Sequence, residues 1–194
     1  MAILKVARMG HPILAGISEP VEDPAAPEIG QLISDMVETM RDAPGIGLAA
    51  PQVHVPKRIV VFHVPENRDG ENGGVPLTAL INPVIEPLDD EMEDGIEGCL
   101  SLPDMIGGKV PRYTRIRYSA LDVDGGTIER EAEGFHARVV QHECDHLDGV
   151  LYPMRMTDLA TLGYVEEMVK GIDGAEDGGE EGDGDGDGDE ATDG

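Results

Sequence analysis

Residues 141–146 read Gln-His-Glu-Cys-Asp-His, and this stretch constrains the fold more than any other. It contains the pattern H-E-x-x-H. On an α-helix residues four apart share a face, so the imidazoles of His142 and His146 stand one turn apart and can reach one point in space. Phe135 and Val139 fall in the same arc of a helical wheel, which predicts a helix over Phe135–Leu147 with both histidines on an apolar, buried stripe. Val140, Cys144 and Leu147 form a second apolar side, and Arg138, Gln141, Asp145 and Asp148 a polar third side. Buried imidazoles need polar partners, and one divalent ion satisfies both. Glu143 lies next to that face, where it can take a proton from an ion-activated water. The pattern alone leaves two readings open: a hydrolytic metal site, and a helix with two core histidines.

A catalytic ion of this kind takes three protein ligands and keeps one position open. No histidine follows His146, and the downstream segment offers only Glu166 and Glu167. Upstream stands Glu97-Gly98-Cys99-Leu100-Ser101, whose cysteine belongs to no CxxC pair; a structural thiol is the alternative. Cys144 faces away from the histidines and reads as core. A third cluster, Gly45-Ile46-Gly47-Leu48-Ala49-Ala50-Pro51-Gln52, combines small residues that let a ligand approach the backbone closely. It lacks the spacing of a dinucleotide fingerprint and the Gly-Lys-Ser/Thr of a phosphate loop.

Around these clusters the sequence predicts an α+β domain: short antiparallel strands surrounding a central metal-binding helix, with N- and C-terminal helices. A helix is expected over Asp23–Met40, from Ile29, Leu32, Ile33, Met36, Val37 and Met40, with Pro27 a candidate first turn. Strands are expected over Arg58–Val64, Ala79–Ile85, Ile116–Val123 and Thr127–Glu133. Pro83 marks the second as an edge or irregular strand, and Asp124-Gly125-Gly126 joins the last two as a hairpin. Asn67–Gly74 reads as a polar loop and Thr157–Val169 as a last helix.

The formal charge is −26, from 14 basic and 40 acidic residues. The segment Gly171–Gly194 holds 11 acids and no base, which leaves 29 acidic against 14 basic residues in the body, a net of −15. Such a field repels phosphates and anionic membranes, so direct nucleic-acid binding and membrane attachment are not expected. The expected organisation is a catalytic body over 1–170 and a disordered acidic Gly/Asp/Glu tail over 171–194, too polar to offset its conformational entropy. Asp183-x-Asp185-x-Asp187-Gly188 lacks the terminal glutamate and flanking helices of a calcium loop. Two cysteines are too few for a disulfide scaffold. No signal peptide and no spanning segment are evident, so a cytoplasmic location is expected.

Taken in order, the three clusters resemble the peptide deformylase family, with its G-x-G-x-A-A-x-Q, E-G-C-x-S and Q-H-E-x-D-H-x-x-G motifs. Here these read Gly45–Gln52, Glu97–Ser101 and Gln141–Gly149, without a substitution at the defining positions. The likeness extends to Val6–Leu14 and covers roughly residues 3–165. It implies Cys99, His142 and His146 as ligands to one divalent metal, most often iron(II), with zinc, nickel or cobalt able to share the donors. It implies Glu143 as general base and then acid, and the Gln52 amide and Leu100 N–H as oxyanion donors. Gly47 would offer backbone hydrogen bonds to an extended substrate, and Ile46, Phe135 and Val139 are candidates to line the methionine pocket. Glu97 would pair with Arg112 and steady the Cys99 strand. The implied partners are N-formylmethionyl nascent peptides and the ribosome near its exit tunnel. His54 departs from the glycine that often follows Pro51-Gln52-Val53.

Overall fold

Helix α1 begins where proline permits it. In the computed structural model, which describes residues 2–69, 73–168 and 170, α1 spans Pro27–Asp42. Pro27 occupies the first turn, where its missing N–H costs nothing, so the helix starts four residues later than Asp23. Strands β1 (Gly47–Ala49), β2 (Ile59–Val64) and β3 (Val75–Pro87) follow. Next come β4 (Met92–Cys99), β5 (Leu102–Tyr113), β6 (Arg115–Leu121) and β7 (Thr127–Glu133). Helix α2 covers Gly134–Leu147, and β8 covers Leu162–Tyr164. The class is α+β. One antiparallel sheet has the order β1-β2-β3-β6-β7, and a second has β4-β5-β8.

The apolar run of β2 explains how the layers stack. Its side chains alternate between faces. Val60, Phe62 and Val64 join a core with Val140, Cys144 and Leu147 of α2, whereas Ile59 and Val61 join Met36, Val37 and Met40 of α1. The five-stranded sheet is therefore covered on both sides, and β2 is buried on both faces. On its other side α2 meets β5.

Pro83 lies inside a central strand, and the register of β3 against β6 shifts between Ile81 and Val84. Of the two expectations for Pro83, the irregular strand is the one seen. Asn82 adopts a positive φ of 52° there, and its carboxamide closes on both backbone groups of Val21 at 2.8 and 2.9 Å. The hairpin at Asp124-Gly125-Gly126 forms as read, with Asp122 Oδ1 accepting from Asp124 N and Gly126 N.

Two expectations are corrected. Thr157–Val169 is not one helix. Leu159–Thr161 is a 3-10 turn, Leu162–Tyr164 pairs with Met105–Gly107 of β5, and helical backbone begins only at residue 165. Gly163 weakens a helix at that point, and pairing satisfies the free edge of β5. Burial of α2 also extends beyond its two apolar sides: Gln141 and Asp145, on its polar third side, are buried as well. Of the loop expected over Asn67–Gly74, residues 70–72 lie outside the described residues, as does the tail 171–194.

Candidate active site

The site forms where α2 passes between β1, an edge of one sheet, and β4, an edge of the other. A cleft of about 1280 Å³ opens there, lined by Ile46, Gly47, Gln52, Cys99, Leu100, Phe135, Val139, His142 and Glu143. His146, the one remaining residue singled out in the sequence, lies beneath it and is 1% exposed.

Cys99, His142 and His146 come together, with one ligand atom from each lying within 4.8 Å of the others. Cys99 Sγ is 3.3 Å from His146 Nε2. That separation is close to the edge of a tetrahedron, about 3.5 Å, built on usual metal–sulfur and metal–nitrogen bonds. The donor set fits a divalent transition ion. Glu166 and Glu167, the alternative third ligands, are exposed and outside this group. Cys144 sits in the core on the other side of α2, and burial pushes its thiol far above the usual range.

The charged groups behind the cluster set the histidine tautomer. Glu97 Oε2 lies 2.8 Å from His142 Nδ1, so that nitrogen carries a proton and Nε2 is the one that would bind an ion, with release of any proton it holds. Arg112 grips both oxygens of Glu97, at 2.8 and 2.9 Å, and Arg138 Nη1 adds a third donor at 2.9 Å. Burial alone would raise the Glu97 carboxyl. The hydrogen bonds and charges of Arg112 and His142 overcome it and hold the group well below the usual carboxylate range. His142, whose proton burial alone would weaken, is pushed well above its ordinary value by bonds to Cys99 and Glu97. His146 goes the other way because of burial.

The polar side of α2 also carries residues whose structural role the sequence reading missed. Asp145 accepts from Arg112 at 2.5 Å and from Arg155 at 2.5 and 2.6 Å. Gln141 brackets Tyr113, accepting from its N–H at 3.1 Å and donating to its carbonyl at 2.9 Å. The helix then ends cleanly: Val150 N–H bonds to Asp145 O and Gly149 N–H to His146 O, with Gly149 in the left-handed region at φ 72°. This stop fixes the turn that carries His146.

On the opposite wall Gln52 Oε1 accepts from Ala49 N at 2.8 Å, which fixes the orientation of the amide. Its Nε2 therefore points to Ser101 Oγ, 3.1 Å away, and to Cys99 Sγ, 3.5 Å away. Leu100 and Ser101 form the tight turn between β4 and β5, since Cys99 pairs with Leu102. The N-terminal segment laces these parts together, Ala7 N–H bonding to Gln52 O and Met9 N–H to Ser101 O.

Glu143 is buried over Gly47. A Cβ at residue 47 would lie 2.5 Å from Glu143 Cδ, so glycine is required to seat this carboxylate. Burial pushes the Glu143 carboxyl up to about 7, with the Glu97 charge adding to the shift and His142 and Arg112 opposing it. Glu143 Oε2 has no hydrogen-bond partner among the described residues. A buried carboxyl near neutrality, lining the cleft with one oxygen unpartnered, suits proton transfer.

Comparison with known proteins agrees with this geometry. The family model described as polypeptide deformylase matches residues 3–161. Peptide deformylase 1 of Bordetella pertussis is 56% identical over 169 residues, covering 87% of this chain and 96% of that protein. A crystal structure of class I type b peptide deformylase from Acinetobacter baumannii with Met-Ala-Ser bound aligns with a TM-score of 0.73 at 36% identity, covering 80% of this chain and 99% of that one. Peptide deformylase from Ehrlichia chaffeensis aligns with a TM-score of 0.75 at 33% identity, covering 91% and 98%. With motifs, architecture and near-full-length relatives in agreement, the chain belongs to the peptide deformylase family.

Proposed function

We propose that residues 1–170 form the catalytic body and that the cleft over Cys99, His142 and His146 performs the family's reaction, removal of the formyl group from the N-terminal N-formylmethionine of new polypeptides. The observation that carries this is the pairing of a cysteine–dihistidine donor set with Glu143, a buried carboxyl that lines the cleft and has one oxygen without a hydrogen-bond partner among the described residues. These donors would hold one divalent ion, which when bound supplies Lewis-acid polarisation and makes water a better nucleophile. Iron(II) is our choice, with zinc, nickel and cobalt fitting the same donors.

Glu143 takes the proton of the attacking water as its oxygen bonds to the formyl carbon. The same carboxyl then returns a proton to the amide nitrogen as the C–N bond breaks, giving formate and a free amine. A carboxyl shifted to about 7 suits both halves of this exchange, and a cation beside it favours the charged form with which the cycle starts. Gln52 Nε2 and the Leu100 N–H stabilise the negative charge that develops on the formyl oxygen. Gly47 gives backbone hydrogen bonds to the extended peptide along the free edge of β1, and Ile46, Phe135 and Val139 receive the methionine side chain. The Met-Ala-Ser bound to the Acinetobacter baumannii relative supports a peptide of this kind.

We place the reaction in the cytoplasm, near the ribosomal exit tunnel, where such substrates arise. No helix among the described residues is long and apolar enough to cross a membrane. The test is formate release from formyl-Met-Ala-Ser by the full chain, purified without oxygen and loaded with iron(II). Multiple turnovers are expected; absence of formate overturns the proposal.

A further inference from the structure

Acids outnumber bases by 40 to 14 in this chain, so an unpaired base needs an explanation. Lys57, Lys109 and Lys170 are ion-paired, as are seven of the arginines: 41, 58, 112, 115, 117, 138 and 155. Arg130 interacts with Tyr118. Lys5, Arg8, Arg68 and Arg130 have no ion-pair partner among the described residues; Arg130 lies on β7 and does not line the cleft, whereas Lys5, Arg8 and Arg68 are exposed and line it.

They reach it from separate parts of the chain. Lys5 and Arg8 flank Ala7, whose N–H is tied to Gln52 O. Arg68 follows β2 and stands 4.2 Å above the Phe135 ring. The acids lining the same cleft do not cancel them. Glu97 is held by Arg112 and Arg138, Glu143 is buried, and Asp104 is the one exposed carboxylate. The mouth is a cationic rim on an acidic body.

Two effects act on an approaching acidic peptide. The net charge of −26 repels it at long range, and the rim attracts it on contact. Charges separated by more than about 8 Å are largely screened at physiological salt, whereas contacts at the rim are not. The local term decides binding, because a cleft of one sign concentrates ligands of the other.

We infer that Lys5, Arg8 and Arg68 recognise acidic side chains in the first few residues after the formylmethionine, so that acidic nascent peptides are the preferred substrates. This rests on the deformylation reading above.

The test compares formyl-Met-Ala-Glu-Glu, formyl-Met-Ala-Gln-Gln and formyl-Met-Ala-Lys-Lys with the iron-loaded full chain at physiological ionic strength. The acidic peptide should exceed the neutral one by about three- to tenfold in kcat/KM, chiefly through KM, and the basic peptide should fall below both. Anisotropy of a labelled Met-Ala-Glu-Glu should show the same preference over Met-Ala-Gln-Gln. The acidic-to-neutral ratio should approach one in K5Q/R8Q/R68Q, drop partly in R68Q, and persist in R117Q. A wild-type ratio of one, or a triple variant that slows all three peptides equally, overturns the inference. Formate from none of the peptides, with the binding preference intact, would instead defeat the deformylation reading and leave the anion-recognising rim standing.

Discussion

Replacing Glu143 with glutamine should lower kcat for formyl-Met-Ala-Ser by about 10²- to 10⁴-fold, the usual contribution of a positioned general acid–base. The amide has nearly the volume of the carboxyl, so it keeps the contact over Gly47 that an alanine would lose. It neither accepts the water proton nor donates one to the leaving amine. The loss should fall on kcat with KM little changed, and metal content should stay at the wild-type level because Glu143 is not among the three clustered ligands. Steady-state formate release with elemental analysis of the same sample checks both. A variant with wild-type kcat would remove Glu143 from the chemistry.

The second large effect is structural. Arg112 is 3% exposed and binds Glu97 through two parallel bonds while also reaching Asp145. Arg112→Ala leaves two buried carboxylates short of a cation, and breaking a buried pair this way costs about 3–5 kcal/mol. For a chain of this length that lowers the thermal midpoint by roughly 10 °C. Arg138 and His142 still hold Glu97, and Arg155 still holds Asp145, which keeps the cost from being larger. His142 depends on Glu97 for its orientation, so metal affinity should fall as well, by about 10- to 100-fold. Arg112→Lys keeps the charge but loses the two-pronged grip and should fall between. Calorimetry and metal titration measure the two consequences, and an Arg112→Ala chain with wild-type stability and metal retention would refute the account of this network.

The same network shows where the sequence stops being legible. Periodicity located α2 because its apolar residues recur at helical spacing, and β2 because a six-residue strand buried on both faces is nearly all apolar. It did not locate β4. Met92–Cys99 is rich in acids and glycine, and within it Glu97 is the buried residue, so no alternation was there to read. Without β4 and β5, the polar side of α2 had no partner and was assigned to a face of its own. Gln141, Asp145 and Arg138 became interpretable only once Tyr113, Arg112 and Glu97 stood opposite them. Spacing brought His142 and His146 to one point, but Cys99 lies far off in sequence. The residues alone left it open as a third ligand or a structural thiol; the motif resemblance assigned it to the metal and also paired Glu97 with Arg112, a pairing that the structure contains. The helix expected over Thr157–Val169 failed because the free edge of β5, a distant feature, recruits Leu162–Tyr164 as a strand.

The central claim is that a thiolate and two imidazoles hold one ion, which separates this site from H-E-x-x-H peptidase sites that take a third ligand from downstream of the helix. Elemental analysis of the full chain and of Cys99→Ala, both purified without oxygen, tests it most directly. The account predicts about one equivalent of divalent metal per wild-type chain, and loss of both metal and formate release in Cys99→Ala. A Cys99→Ala chain that keeps one equivalent of metal and its turnover would contradict it.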